Sequence, residues 1–298
     1  SRRCWKCFSN NFPCFNLELV FCTHSNKSTA IHILVILTRI STQNFDYNVK
    51  LFAISKSYNC VIKRINLMEM KVMMKTFKKI WWRLLFALYA FIYLPWFFYL
   101  EHKITMDYPG IHILNGTIDS YIPFLEIFII PYLLWFVYIV ASCIYMVLKA
   151  DNKEFIRFAL SLIIGMSVSM FICMIYPNGL TLRPDNIPDN IFGKLVTVLY
   201  ATDTTTNVFP SIHVYNSIAV HTALSKCKAL KDHKYIVNAS LILCILICLS
   251  TIFLKQHSVY DVIGGIVLMA FMYFMLYILP ERNAEAKCEA ESQQSITD

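Results

Sequence analysis

The chain has 298 residues, is 57% hydrophobic and 15% charged, and carries a formal net charge of +8. Its mean hydropathy is +0.52, whereas a soluble domain is nearer half apolar and a quarter charged. The excess belongs in lipid, and an ordinary soluble globule is excluded.

Residues 1–73 read differently from the rest. They are rich in Asn, Ser, Cys and Lys without a clear period, and no Met precedes Met68. The best apolar run, 30–37, is too short to span a bilayer. Cys4 and Cys7 have half a zinc-site spacing, but no second pair follows at the distance such a site needs. The expectation is an atypical extension, with the natural start at Met73 or Met74 and Met68 as the other possible start.

Six apolar runs follow, at 81–100, 123–148, 155–176, 211–224, 235–254 and 259–279. Runs of roughly 18 residues or more can each cross a bilayer as a helix. The fourth run is short and carries His213, Asn216 and His221, so it must face protein or water. Pro131 is expected to kink the second run. The long loop 177–209 is broken by Pro177, Pro184 and Pro188. Within it, 191–200 is apolar enough to form a short helix lying on the membrane surface. After Glu281 the tail is polar, and disorder is expected there. The expected fold is all-α: a polytopic six-helix membrane bundle over 74–280 with a polar tail over 281–298.

The positive charge is distributed, and its pattern argues against nucleic acid as a partner. Lys75, Lys78, Lys79 and Arg83 lie at the entry to the first run. Lys149, Lys153 and Arg157 form a second basic group, and Lys226, Lys228, Lys231 and Lys234 a third. The alternate loops, 101–122, 177–209 and 255–258, carry fewer cations and several acids. By the positive-inside rule the basic loops and both termini are cytoplasmic. The expected location is a bacterial plasma membrane. Arg183, His213 and His257 then share the extracytoplasmic side, although none of them entered the topology argument.

His257 and Asp261 are four residues apart, on one face if a helix starts near Ser258. The carboxylate can fix one imidazole nitrogen and leave the other as nucleophile or base. The competing reading is a His–Asp pair that only satisfies itself at a helix mouth. Pro210 and Ser211 open the run that carries His213, where free amides and the helix dipole favour an anion. Ser211 adds a hydroxyl, and His213 stands one turn along, placed to protonate a leaving oxygen. A satisfied buried imidazole is its rival reading. Asn207 is read as an N-cap or loop anchor. Arg183 and Lys255 are fixed cations on the same side, suited to phosphate oxygens, although snorkelling to headgroups competes for Lys255.

Arg183-Pro184, Pro210-Ser211-Ile212-His213 and Ser250-x6-His257-x3-Asp261, in this order, resemble the type 2 phosphatidic acid phosphatase superfamily. The resemblance covers about residues 80–280. Phe209-Pro-Ser-Ile-His-Val214 with Lys255-Gln-His-Ser-Val-x-Asp-Val262 is similar to its branch of inositolphosphotransferases of the inositol phosphorylceramide synthase type. The resemblance implies a six-helix membrane enzyme of the PAP2 type without a cofactor or metal. It implies that His257 attacks phosphorus, Asp261 orients it, His213 acts as acid then base, and Arg183 and Ser211 hold the phosphate. Three positions depart from the pattern. Tyr176 stands where Lys is usual, Ile212 where Gly is usual, and Thr251 where Arg is usual. Lys255 is the candidate to replace one missing cation.

The expected function is hydrolysis of a lipid phosphate at the membrane through a phosphohistidine. A lipid phosphotransferase is the alternative with the same chemistry. A non-catalytic lipid-binding protein and a haem protein with His213 and His257 as axial ligands are the rivals from other classes. Lipid phosphate and membrane lipids are the expected partners. The residues name neither the lipid headgroup nor an oligomeric state.

Overall fold

The computed structural model describes residues 47–297. The Cys4 and Cys7 pair and the apolar run at 30–37 lie outside the described residues. The chain divides into two compact units, Ser1–Lys71 and Val72–Asp298. Helix α1 (Tyr47–Leu84) supplies the described residues of the first unit.

The second unit is helical. After α1 come α2 (Ala90–Lys103), α3 (Ile129–Lys149), α4 (Asn152–Ile175), α5 (Ile191–Thr202), α6 (Ile212–Ser225), α7 (Lys234–Phe253), α8 (Val259–Tyr273) and α9 (Leu279–Thr297). Two-residue strands, β1 (His112–Ile113) and β2 (Asn178–Gly179), pair in parallel. Five helical stretches among the described residues are long and apolar enough to cross a membrane: Ser57–Lys103, Glu126–Lys149, Asn152–Ile175, Lys234–Phe253 and Val259–Lys287.

The expected fourth span is a different object. Helix α6 has 14 residues, or about 21 Å at 1.5 Å per residue, against a hydrocarbon core of about 30 Å. It packs against α3, α4, α7 and α8, and Tyr215, Asn216, Ser217 and Val220 are almost fully buried. Its polar residues are tolerated because they face protein. His221 Nδ1, for example, lies 3.1 Å from Ser240 Oγ. The bundle therefore surrounds one short central helix, and that helix carries His213.

Two further expectations change. Pro131 does not interrupt its helix, because α3 starts at Ile129 and Pro131 falls in the first turn, where no intrahelical amide bond is lost. The segment after Glu281 is helical within α9 rather than disordered. Its Glu, Ala, Lys, Arg and Gln residues are good helix formers, and Glu281 pairs with Arg157 at 2.8 Å. Arg83, counted above with the basic group of the first run, is 1% exposed. Its guanidinium donates to the carbonyls of Met146, Val147 and Ala150 and to Asn152 Oδ1, which closes the otherwise unpaired C-terminus of α3.

These bonds collect the basic groups at one end of the second unit. Arg83 meets 146–152, Lys228 pairs with Asp151 at 2.9 Å, and Arg157 pairs with Glu281. The loops 101–125, 177–211 and 254–258 meet at the other end, joined by contacts such as Lys255 to Asp119 and Asn207 to Glu101.

Candidate active site

The turn after α7 is built around one carbonyl. Thr251 O accepts the amides of Gln256 at 3.0 Å and His257 at 3.1 Å. Lys255 takes φ of 53°, a left-handed conformation uncommon for a residue with a Cβ. Its ammonium holds that geometry by donating to the carbonyls of Asp119 at 2.7 Å and Ile122 at 2.6 Å. Helix α8 then opens with a reciprocal cap. Ser258 Oγ accepts the Tyr260 amide at 3.0 Å, and Asp261 Oδ2 accepts the Ser258 amide at 2.8 Å. Asp119 Oδ1 accepts the Val259 amide at 2.9 Å. Asp261 is thus fixed one turn from His257 by backbone requirements alone.

The second histidine arrives by another route. Asn178 is fully buried, and its Oδ1 accepts the amides of Val208 and Phe209, both at 2.9 Å. Asn207 takes φ of 57° and donates its amide to Asn178 O at 2.8 Å. Its side chain reaches Glu101 Oε1 at 3.0 Å. Asn207 is therefore a loop anchor, and the N-cap of α6 is Ser211, whose Oγ accepts the Val214 amide at 3.4 Å. Ser211 also donates its own amide to Asp261 O at 3.0 Å, tying the starts of α6 and α8 together. The His213 ring lies between Tyr132 and Trp135, with centroids 4.8 and 4.4 Å away.

The two routes converge. His257 Nε2 is 3.4 Å from His213 Nδ1, and His257 Nδ1 is 3.5 Å from Asp261 Oδ2. The second distance exceeds a formed hydrogen bond, and both His257 Nδ1 and Asp261 Oδ1 are buried without a hydrogen-bond partner. A small rotation of the ring would close the pair. Catalytic hydrogen bonds are often long before substrate arrives.

Arg183 sits beside this pair, half-buried. It donates to the carbonyls of Tyr200, Asp203 and Thr204 and to Gln256 Oε1, and it stacks over the Tyr200 ring at 4.3 Å. Asp203 accepts the Tyr132 hydroxyl at 3.1 Å. Burial pushes the Asp203 carboxyl above its ordinary value, opposed by the Tyr132 hydrogen bond, His257 and Arg183. Burial draws Arg183 down, opposed chiefly by Asp203, and draws Lys255 down against Asp119. A cavity of about 310 Å³ opens beside Arg183, lined also by Glu101, Tyr200, Asp203 and the hydroxyls of Thr204, Thr205 and Thr206.

Residues 154–285 match the family model of the PAP2 superfamily. No curated protein and no solved structure matches the chain. The matched segment holds Arg183, Ser211, His213, His257 and Asp261, the residues the structure gathers. It fits a helical membrane fold of phosphatases and phosphotransferases. Tyr132, Trp135 and Asp119 lie before it.

At the positions where PAP2 cations are usual, Tyr176 stacks on His112 at 4.2 Å and Thr251 is buried with its hydroxyl on Cys248 O at 2.8 Å. Neither supplies charge. Lys255 lies in the right turn, but its ammonium is directed at two backbone carbonyls. Asp119, Asn178 and Asp203 do positional work that no motif announced, and Gln256, although inside the quoted motif, was given no role there. Their only signal was being polar inside irregular loops, which says nothing about partners up to 140 positions away.

Proposed function

We propose that the protein is an integral-membrane enzyme that hydrolyses a lipid phosphate through a phosphohistidine, without a metal, on the extracytoplasmic face. The observation that carries this reading is the approach of His257 and His213, 44 positions apart, to 3.4 Å with Asp261 behind the first ring. With Nδ1 turned to Asp261, His257 Nε2 is the free nucleophile. Its lone pair forms the N–P bond as the P–O bond to the lipid alcohol breaks, and His213 gives the leaving oxygen its proton. Water then attacks phosphorus, His213 takes the proton, the N–P bond breaks, and inorganic phosphate leaves. Arg183, Ser211 and the first-turn amides of α6 hold the phosphate oxygens. Lys255 braces the same turn through the carbonyls of Asp119 and Ile122.

A second reading, transfer to an alcohol in place of water, draws support from the cavity lined by hydroxyls and Glu101. It would hold a hydroxylated acceptor.

The test is phosphate release by purified full-length protein from a panel of lipid mono- and diphosphates. His257→Ala is expected to abolish turnover. Asp261→Asn keeps an acceptor for the Ser258 amide, so the fold should hold while kcat falls about 10²-fold or more. Chelators should leave the rate unchanged. Full activity in His257→Ala, or loss with chelator, rejects the mechanism. Phosphate transferred to an added alcohol instead of released selects the second reading.

A further inference from the structure

Gln256 precedes the nucleophile in the chain and is 4% exposed. Its Oε1 accepts Arg183 Nη2 at 3.0 Å. A guanidinium only donates, so the amide oxygen must face it and the NH2 must turn elsewhere. That Nε2 is buried without a hydrogen-bond partner, and so is Arg183 Nε. Buried donors without acceptors are costly and uncommon in native proteins. Here two such donors belong to residues bonded to each other, and one of those residues adjoins His257. Near them, His257 Nδ1, Asp261 Oδ1, Asn207 Oδ1 and Trp135 Nε1 are also buried without a partner, but among the described residues Gln256 and Arg183 alone pair two such donors through a shared hydrogen bond.

We propose that Gln256 Nε2 and Arg183 Nε bind the non-bridging oxygens of the phosphate that His257 attacks, and that this phosphate carries a single negative charge. This rests on the phosphoryl-transfer reading above and narrows its substrate. Gln256 supplies a hydrogen bond without a charge. The other cation, Lys255, is turned to the carbonyls of Asp119 and Ile122. Carboxyls of Asp203 and Glu101 line the cavity beside Arg183, and Asp261 lies behind His257. His213 and His257 themselves and Tyr132, whose ring packs on His213 and whose hydroxyl donates to Asp203, are the other titratable groups at the pair. One guanidinium and one neutral amide match a monoanion, and a second phosphate charge would meet these carboxylates uncompensated. A lipid phosphodiester and a singly protonated lipid monoester share that chemistry.

The deciding variant is Gln256→Glu in the full chain, in detergent micelles. Glutamate keeps the acceptor that holds Arg183, removes the amide donor and adds a negative charge. Turnover is measured on short-chain phosphatidylglycerol, a diester, and on short-chain phosphatidic acid. The second substrate is used at about pH 8 and about pH 5.5, on either side of its second ionisation near about pH 6. In the unaltered protein, kcat/KM for the monoester should fall at least about tenfold from the lower to the higher pH, relative to the diester. A preference for the diester at both pH values identifies the diester as the source, and parity at the lower pH identifies the protonated monoester. Gln256→Glu should lose about 100-fold in kcat/KM on either substrate with an unchanged melting temperature. Gln256→Leu, which adds no charge, should raise KM about tenfold.

Retained activity in Gln256→Glu would show that Gln256 only positions Arg183, and would overturn the proposal even if the leucine variant fails to fold. Equal use of the doubly charged monoester and the diester by the unaltered protein would overturn the single-charge assignment. An unaltered protein that forms an acid-labile phosphohistidine while Gln256→Glu stays fully active overturns this proposal alone. An unaltered protein that forms none overturns the phosphoryl-transfer reading as well.

Discussion

Asp203 shows how one buried carboxyl connects the site to stability. It closes α5, accepts the Tyr132 hydroxyl, and lies in the field of both Arg183 and His257. Its value is raised by burial, so the folded protein holds this proton to higher pH than the unfolded chain, whose carboxyl titrates near about 3.9. Between those two values the native state binds more protons, and stability falls as pH rises. Above the folded value the loss is complete. Asp203→Asn keeps an acceptor for Tyr132 and removes the ionisation. Its melting temperature should therefore gain on that of the unaltered protein as pH is raised from about 4 to about 7. A constant difference across that range would show that Asp203 does not titrate differently in the two states. The histidines pose a separate question of distance. In the proposed mechanism, a phosphorus atom at about 3–3.5 Å from His257, with its leaving oxygen hydrogen-bonded to His213 at about 2.6–3.2 Å, needs more than the present 3.4 Å between the two ring nitrogens. The rings must part when substrate enters.

At the scale of elements, the site depends on how closely α6 and α8 start together. Gly265 marks that approach. A Cβ there would stand 2.8 Å from Ser211 O and 3.2 Å from Val214 Cβ. The first of these is a backbone atom with no rotamer to yield. Gly265→Ala should therefore displace the N-terminus of α6, with about 1–3 kcal/mol of overpacking strain and a fall in kcat of at least about tenfold. Chemical unfolding and kinetics of the same sample check both. Unchanged kcat despite lower stability would mean that the strain is absorbed away from His213. This crossing explains what could be read from the chain and what could not. His257, Asp261, Ser211 and His213 were legible because each pair is local, one turn of helix or one cap apart. Five of the six expected spans were legible from composition over some twenty residues, whereas the fourth is the short central helix α6. The role of Pro131 was misread because one residue's effect depends on where its helix begins. The burial of Arg83 and the positional work of Asp119, Asn178 and Gln256 depend on partners in distant loops, and no local pattern encodes those.

For the molecule as a whole, the decisive property is that the paired basic groups Arg83, Arg157 and Lys228 lie at one end of the second unit and His213 and His257 at the other. One end is bound by Arg83 on the 146–152 carbonyls and by the Lys228–Asp151 and Arg157–Glu281 pairs. The other gathers the loops around His213 and His257 and the cavity beside Arg183. Apolar helices between them make the ends inequivalent across a bilayer, and the basic end is expected to remain cytoplasmic because Lys and Arg near span ends resist translocation. Ser120, beside the Asp119 clamp, and Lys231, in the turn before α7, are both exposed and belong to opposite ends. In intact cells, Ser120→Cys should react with a membrane-impermeant maleimide, and Lys231→Cys should react only after permeabilisation. The unaltered protein, which has 11 cysteines, sets the background. The reverse pattern would place the histidines on the cytoplasmic side and require substrate from that leaflet. Labelling of both without permeabilisation would mean that the helices between them do not separate two compartments.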